Sequence, residues 1–239
     1  MTDVVDMQDS GDGIRLAKRV AAQLGCSRAD AERYVAGGWV SVDGKAEEDP
    51  ATRVTAEQQV VLLPGASADE PLPVTILLHK AAGVGTTAAL AALDAASLAG
   101  GGRFLKRHLH KMALATPLET SASGLVVFTQ DWRVQRKLVE DGARIEHEYV
   151  LEVAEDYISE NALAKMNAAG TPAAPVKVSR QSETRLRIAG KGIRTGRIEV
   201  MCTQAGLTFK SLRRLRVGRL ALSSLPAGQW RYLGEFERF

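Results

Sequence analysis

The chain has little cysteine: Cys26 and Cys202 stand far apart in its 239 residues. Two such thiols suggest neither a metal site nor a disulfide framework, and reduced, mostly buried thiols are expected. Its four histidines show no ligand spacing beyond His108-x-His110, so solvated or ligand-facing rings are expected. No apolar run approaches the roughly 18 residues that a membrane span requires. The start, MTDVVDMQDSGDG, is acidic and lacks the basic-then-apolar order of a signal peptide. No internal repeat is visible. These absences predict a cytoplasmic protein without a membrane partner, and nothing in the sequence requires more than a monomer.

What is present is an ordinary globular composition with unevenly placed charge. Hydrophobic residues make up 45% and charged residues 25%, which argues against a disordered chain. Net charge is only +3, yet Asp3, Asp6, Asp9 and Asp12 crowd the start without a base among them. Between Lys177 and Arg219 twelve bases face only Glu183 and Glu199. A second cluster, Arg103, Lys106, Arg107 and Lys111 with His108 and His110, carries no acid. Such blocks suit a polyanion and would make binding salt-dependent. Bases alternating along strands also suit a solvated sheet face, and composition alone does not separate the two.

The pattern along the chain divides it into two folded parts. Residues 1–12 read as a disordered acidic tail. Leu16, Val20, Ala21 and Leu24 recur at helical spacing and stop at Gly25. Ser27 with Asp30 three residues later is a capping-box start for a second helix, which ends at Gly37-Gly38. WVSVDGK then alternates into an Asp43-Gly44 hairpin turn, and Val54 and QVVLL supply further strands. A small domain over 13–63 is followed by the linker PGASADEPLP, 64–73. From 74 to 239 the runs VTILLHK, SGLVVFTQD, EHEYVLEV, TRLRIA, GRIEVMC and SLRRLRVGRLAL read as strands, with WRVQRKLVEDG as a short amphipathic helix. The fold class expected is α+β, with a mixed, largely antiparallel sheet and flanking helices.

The run RLAKRVAAQLGCSRADAERYVAGGWVSVDGK resembles the alpha-L RNA-binding motif of a ribosomal small-subunit protein. Two short helices there set a basic surface against a hairpin, and structured RNA is read by shape and phosphate contacts. Arg15, Lys18, Arg19 and Arg28 are the candidates for that surface, with Lys45 at the hairpin tip. Arg103, Lys106, Arg107, Arg213, Arg214 and Arg216 are further RNA-binding candidates from the basic clusters.

The remainder resembles the RsuA-like family of RNA pseudouridine synthases. The resemblance is carried by LLHKAAGVGTT, by PLETSASGLVVFTQD against a pattern G-R-L-D-x-x-T-x-G-L, and by EHEYVLEV. It continues through GLTFKSLRRLRVGRLALSSLPAGQWRYL, where Trp230 is expected as a core anchor. The resemblance implies isomerisation of uridine in RNA, most naturally ribosomal RNA, by base flipping and carboxylate catalysis, without metal or organic cofactor. It puts the catalytic carboxylate on Glu119 and the stacking aromatic on Tyr149. Taken alone, Tyr149 is equally a sheet residue; only its spacing after Glu119 singles it out.

Three departures from the family pattern stand out. Glu119 replaces an aspartate, one methylene shorter. Thr116 and Pro117 occupy the positions of a glycine and an arginine. CTQ runs almost directly into AGL, where the family has N-R-Q-x-R-R-M in a short basic helix, so that helix is expected to be missing. Arg213 or Arg214 is a candidate to replace its base. The second reading is therefore a catalytically impaired RNA-binding relative that keeps the fold.

Overall fold

A computed structural model describes residues 13–70, 72–101, 103–171 and 174–239. The acidic stretch 1–12 lies outside the described residues. The chain forms two compact units, one running to Leu72 and including Leu105–His110, the other comprising Pro73–Phe104 and Lys111–Phe239.

In the first unit β1 (Ile14–Arg15) leads into α1 (Leu16–Leu24), which stops where Gly25 turns left-handed at φ 62°. Glycine accepts that conformation without a Cβ clash. α2 (Arg28–Ala36) starts on Ser27, whose hydroxyl accepts from the Asp30 amide at 3.1 Å. β2 (Val40–Val42) and β3 (Lys45–Glu47) pair through a turn with positive φ at both Asp43 and Gly44. That geometry matches the twist of a hairpin. β4 (Arg53–Val54) pairs with β1, and β5 (Val60–Leu62) with β2. Leu16, Val20, Ala31, Val35, Val40 and Val54 form its core. Leu24, expected on the buried face, is instead exposed, although the same last turn contacts β5 through the Gln23 side-chain amide and the Val60 carbonyl at 3.2 Å.

The second unit is built on a nine-stranded sheet. Its elements are β6 (Thr75–Lys80), α3 (Thr86–Ala91), β7 (Ala113–Leu114), β8 (Ser123–Thr129), α4 (Trp132–Gln135) and β9 (Glu146–Val153). After them come α5 (Glu160–Ala168), β10 (Val176–Arg180), β11 (Arg185–Lys191), α6 (Arg197–Gln204), β12 (Phe209–Val217), β13 (Leu220–Ala221) and β14 (Trp230–Tyr232). The order is β10-β11-β9-β12-β8-β6-β14, with β13 beside β12 and β7 beside β8. Among the described residues only β12 and β8 pair in parallel; the other strand pairs are antiparallel. The expected mixed, largely antiparallel sheet is present, and Trp230 is fully buried.

Two expectations are corrected by α6. GRIEVMC is a helix, not a strand. Its buried residues Ile198, Met201 and Cys202 fall at i, i+3 and i+4, one helical face. The helix expected to be missing before Gly206-Leu207 is therefore in place. What it lacks is net basic charge, since its one base, Arg197, is balanced by Glu199.

The join between β8 and β12 is the tightest point of the sheet. Gly124 sits opposite Arg214 with φ 118°. A Cβ there would lie 2.2 Å from the Arg214 carbonyl oxygen and 2.6 Å from its nitrogen. Gly124→Ala should therefore destabilise the second unit by about 3 kcal/mol or more, from positive-φ strain plus overpacking. Denaturant titration checks this; an unchanged midpoint would mean that the strands do not meet this closely.

Candidate active site

Three central strands and two loops converge on one cleft of about 320 Å³, lined among others by Thr116, Pro117, Glu119, Tyr149, Arg194 and Arg214. Strand register brings the key side chains together: β9 and β12 pair Tyr149 with Arg214, and β8 pairs Gly124 with that same arginine. The loop from Thr116 to Ala122 enters β8 and carries Glu119.

Arg214 is 1% exposed, and its guanidinium is occupied by backbone. Nε donates to the Leu125 carbonyl at 2.7 Å, Nη1 to Pro117 at 2.9 Å, and Nη2 to Thr116 at 2.7 Å. Nη2 also reaches the Thr116 hydroxyl at 3.2 Å, which accepts in addition from the Val127 amide at 2.8 Å. A planar fork suits this work, because it meets several fixed acceptors at once. Thr116 and Pro117, the residues that depart from the family pattern, are the ones Arg214 holds.

Lys80 grips the other end of the same loop. It is 0% exposed, and Nζ donates to the carbonyls of Thr120 at 3.3 Å and Ala122 at 2.6 Å. It also donates to Ala81 at 3.0 Å and Val84 at 2.8 Å, tying the turn after β6 to the loop. Burial pulls its ammonium below the usual lysine range, and the Glu119 charge offsets part of that. Two buried cations thus hold the backbone on both sides of Glu119.

Glu119 is half-buried, and its Oε1 accepts from the Gly196 amide. Gly196 is the N-cap of α6, at φ 81°. The start of a helix favours an anion, because its first amides point outward unpaired. Burial pushes the Tyr149 hydroxyl up, with the neighbouring Arg214 countering it. Nδ1 of His147 lies 3.3 Å from that hydroxyl. Burial, with Arg214 and then Arg216, holds the His147 ring down to about 3.

The expected RNA-binding residues separate into distinct groups. Arg15, Lys18 and Arg28 line one cleft of about 570 Å³ in the first unit, joined by Arg53, which sequence reasoning did not single out. Arg53 belongs to the strand that pairs with β1, a neighbourhood set by folding rather than spacing. Arg19 is half-buried, and exposed Lys45 opens β3; neither lines that cleft. Lys106 and Arg107 lie on a short 3-10 turn in the first unit, where the Lys106 amide donates to Glu48 at 2.7 Å. Arg103 falls in the second unit, and its carbonyl accepts from the Tyr232 hydroxyl at 3.2 Å.

The C-terminal basic block is largely a paired sheet face. Glu152 on β9 binds Arg185 at 3.1 Å and Lys210 at 2.7 Å. Glu148 binds Arg187 at 2.7 Å and Arg216 at 3.0 Å, and Arg216 also binds Glu146. Arg216 is therefore engaged by carboxylates. Arg213, adjacent to Arg214, is exposed beside Val150, Glu152 and Ser211 and lines none of the Glu119 cleft. Of the two candidate arginines, Arg214 is the one placed in the cleft. His79 is neither solvated nor ligand-facing as expected, being buried with its Nδ1 2.7 Å from the Leu225 carbonyl, whereas His147 faces the Glu119 cleft. Among the described residues there is no group of three or more His, Cys, Asp and Glu that could hold a metal ion, and no helix long and apolar enough to cross a membrane.

The S4 domain model matches residues 14–60. The dual-specificity RNA pseudouridine synthase RluF of Escherichia coli (strain K12) is 27% identical over 236 residues, spanning 94% of this chain and 77% of that protein. An uncharacterized RNA pseudouridine synthase of Aquifex aeolicus (strain VF5) is 26% identical over 230 residues, spanning 94% of both chains. The crystal structure of a pseudouridylate synthase superposes with a TM-score of 0.58 at 18% identity, covering 93% of this chain and 97% of that one. That likeness concerns the fold.

Two outcomes follow from the site. Lys80→Met leaves the buried carbonyls of Thr120 and Ala122 without their donor and should cost about 3 kcal/mol, since each orphaned buried acceptor costs about 1–3 kcal/mol. A denaturation midpoint within error of the parent would contradict the clamp. The second concerns acid. His147 folds with its ring held near 3, and burial, then Arg107, holds His108 near 4, both below the ordinary 6.5. The unfolded chain takes up these protons first, so stability falls as pH drops below 6.5 and goes on falling toward about 4 for His108 and about 3 for His147. Thermal melts across that window should show the fall, and His147→Gln should make it shallower. Parallel slopes would show that His147 does not titrate this way.

Proposed function

We propose, from the premise that this chain is an S4-domain-bearing homologue of the RluF-type RNA pseudouridine synthases, that it isomerises uridine to pseudouridine in RNA. Ribosomal RNA is the substrate we favour, and the cytoplasm the location. The observation that carries the reading is the cleft itself: a carboxylate on a loop held by two buried cations, facing a tyrosine and an arginine from paired strands.

The reaction changes no atoms overall. The C1′–N1 bond breaks, a C1′–C5 bond forms, and the proton leaving C5 is balanced by one gained at N1. A stacked uridine hides these atoms, so the nucleotide is turned out into the cleft. Glu119 acts on the sugar side as nucleophile or general base. Its extra methylene, against the aspartate of the family pattern, is accommodated by anchoring Oε1 on the Gly196 amide. Tyr149 supplies a ring face for the base, and its hydroxyl is oriented by Arg214 and His147. Arg214 acts on the chemistry through the loop it holds, as a positioning residue. The S4 unit contributes affinity through Arg15, Lys18, Arg28 and Arg53, whose cleft suits phosphate contacts to folded RNA.

A second reading, a non-catalytic RNA binder with the same fold, is favoured by Pro117 standing where the family pattern has an arginine. Purified protein acting on unmodified ribosomal RNA separates the two. Glu119→Ala should abolish pseudouridine formation while RNA affinity stays within about threefold. Glu119→Asp, although it restores the family residue, cannot reach the Gly196 amide and should lower the rate about ten- to hundredfold, the scale of a 1 Å misplacement. Full activity in Glu119→Ala would remove Glu119 from the chemistry. No pseudouridine from the wild type on ribosomal or transfer RNA would leave the binder.

A further inference from the structure

The segment joining β8 to β9 carries a surface that the uridine chemistry does not use. Trp132 opens α4 with 62% of its surface exposed. Around it, Arg133, Arg136, Lys137 and Arg144 line a shallow cleft of about 420 Å³, with Asp141 as its acid. The Arg133 guanidinium lies 5.7 Å from the Trp132 ring centroid, as in a cation–π contact. Arg136 reaches Glu140 at 3.5 Å, but both side chains are about two-thirds exposed, so the pair is weak.

The backbone on both sides of Trp132 is tied down despite the exposure of its ring. The Asp131 carboxylate accepts from the Arg133 amide at 2.8 Å, and the Asp131 amide donates to the Thr129 hydroxyl at 3.0 Å. The start of α4 is thus fixed to the end of β8. A π-helical turn follows, Arg136–Glu140, a feature frequent at functional sites. Within it Leu138 enters the core, while Leu138 and Val139 also line the Glu119 cleft. Gly142 and Ala143 line that cleft as well, immediately before Arg144 of the outer patch. One short segment therefore presents a wall to the cleft and an aromatic-basic patch beside it.

An exposed indole costs solvation free energy unless something covers it, and rings bordered by bases suit single-stranded nucleic acid. Each base has a face to stack, and each phosphate a charge to meet. We infer that Trp132 with Arg133, Arg136, Lys137 and Arg144 is a stacking platform for the unpaired RNA segment flanking the nucleotide that enters the cleft. The inference rests on the reading of that cleft as a uridine site. Its occupant is RNA rather than a second copy of the chain, because four bases against Asp141 and Glu140 leave an excess of positive charge that would repel its own image across a two-fold axis.

The test uses the full-length chain and two synthetic RNAs: a stem-loop whose single-stranded tail carries a uridine followed by further unpaired nucleotides, and a tailless form of the same stem-loop that ends at that uridine. Fluorescence anisotropy should show Trp132→Ala losing about tenfold or more in affinity for the tailed RNA. The tailless RNA should bind as before, and Trp132→Phe should stay within about threefold of the wild type on both. Arg136→Gln with Lys137→Gln should flatten the plot of log affinity against log salt for the tailed RNA, by about 0.7 for each phosphate no longer neutralised. Equal affinity of wild type and Trp132→Ala for the tailed RNA overturns the inference. So does a Trp132-dependent dimer in sedimentation without RNA. Because binding needs no chemistry, Trp132-dependent affinity in a protein that makes no pseudouridine would sink the catalytic reading and leave the platform standing.

Discussion

Two buried cations determine what the Glu119 loop can be. Arg214 directs its donors at the carbonyls of Thr116, Pro117 and Leu125, and Lys80 directs its own at Ala81, Val84, Thr120 and Ala122. An irregular loop that ends in a buried strand must satisfy its carbonyls, and here two side chains do so. Charged donors supply stronger hydrogen bonds than neutral ones, which offsets the desolvation of the ions. The result is a backbone arch from Thr116 to Ala122 whose one acidic side chain projects from a rigid support. A carboxylate so held needs no direct arginine partner to be positioned; the Gly196 amide and the start of α6 complete its setting.

Much of this was legible in the residues themselves, and the remainder was not for definite reasons. Gly25, the Ser27 cap and the Asp43-Gly44 turn are local devices, and each formed where its chemistry placed it. Trp230 was a core residue as expected. GRIEVMC failed because a short apolar run fits both periods, and its buried set Ile198, Met201 and Cys202 declares itself helical only when the full spacing is weighed. Taking it for a strand also hid the helix before Gly206-Leu207. Arg213 and Arg214 could not be told apart because adjacent strand residues face opposite ways; the register of β12 on Tyr149 decides which one turns inward. The anchoring of Glu119 on Gly196 joins residues 77 apart and leaves no local trace.

Strand pairing also explains the basic block. Bases along a succession of strands looked like a nucleic-acid surface, yet the partner carboxylates, Glu146, Glu148 and Glu152, come from β9, outside the block. Charge counted along the chain therefore overstated charge available to a ligand. Cations gather instead around the S4 cleft and at the Trp132 segment, where exposed bases outnumber acids. On this account the molecule grips folded RNA with one unit and presents a clamped carboxylate to a single nucleotide with the other.

The most direct measurement is a pseudouridine map of ribosomal and transfer RNA from strains with and without the gene. The account predicts at least one uridine that is converted only when the gene is present. Identical maps would contradict it and leave a fold that binds RNA without changing it.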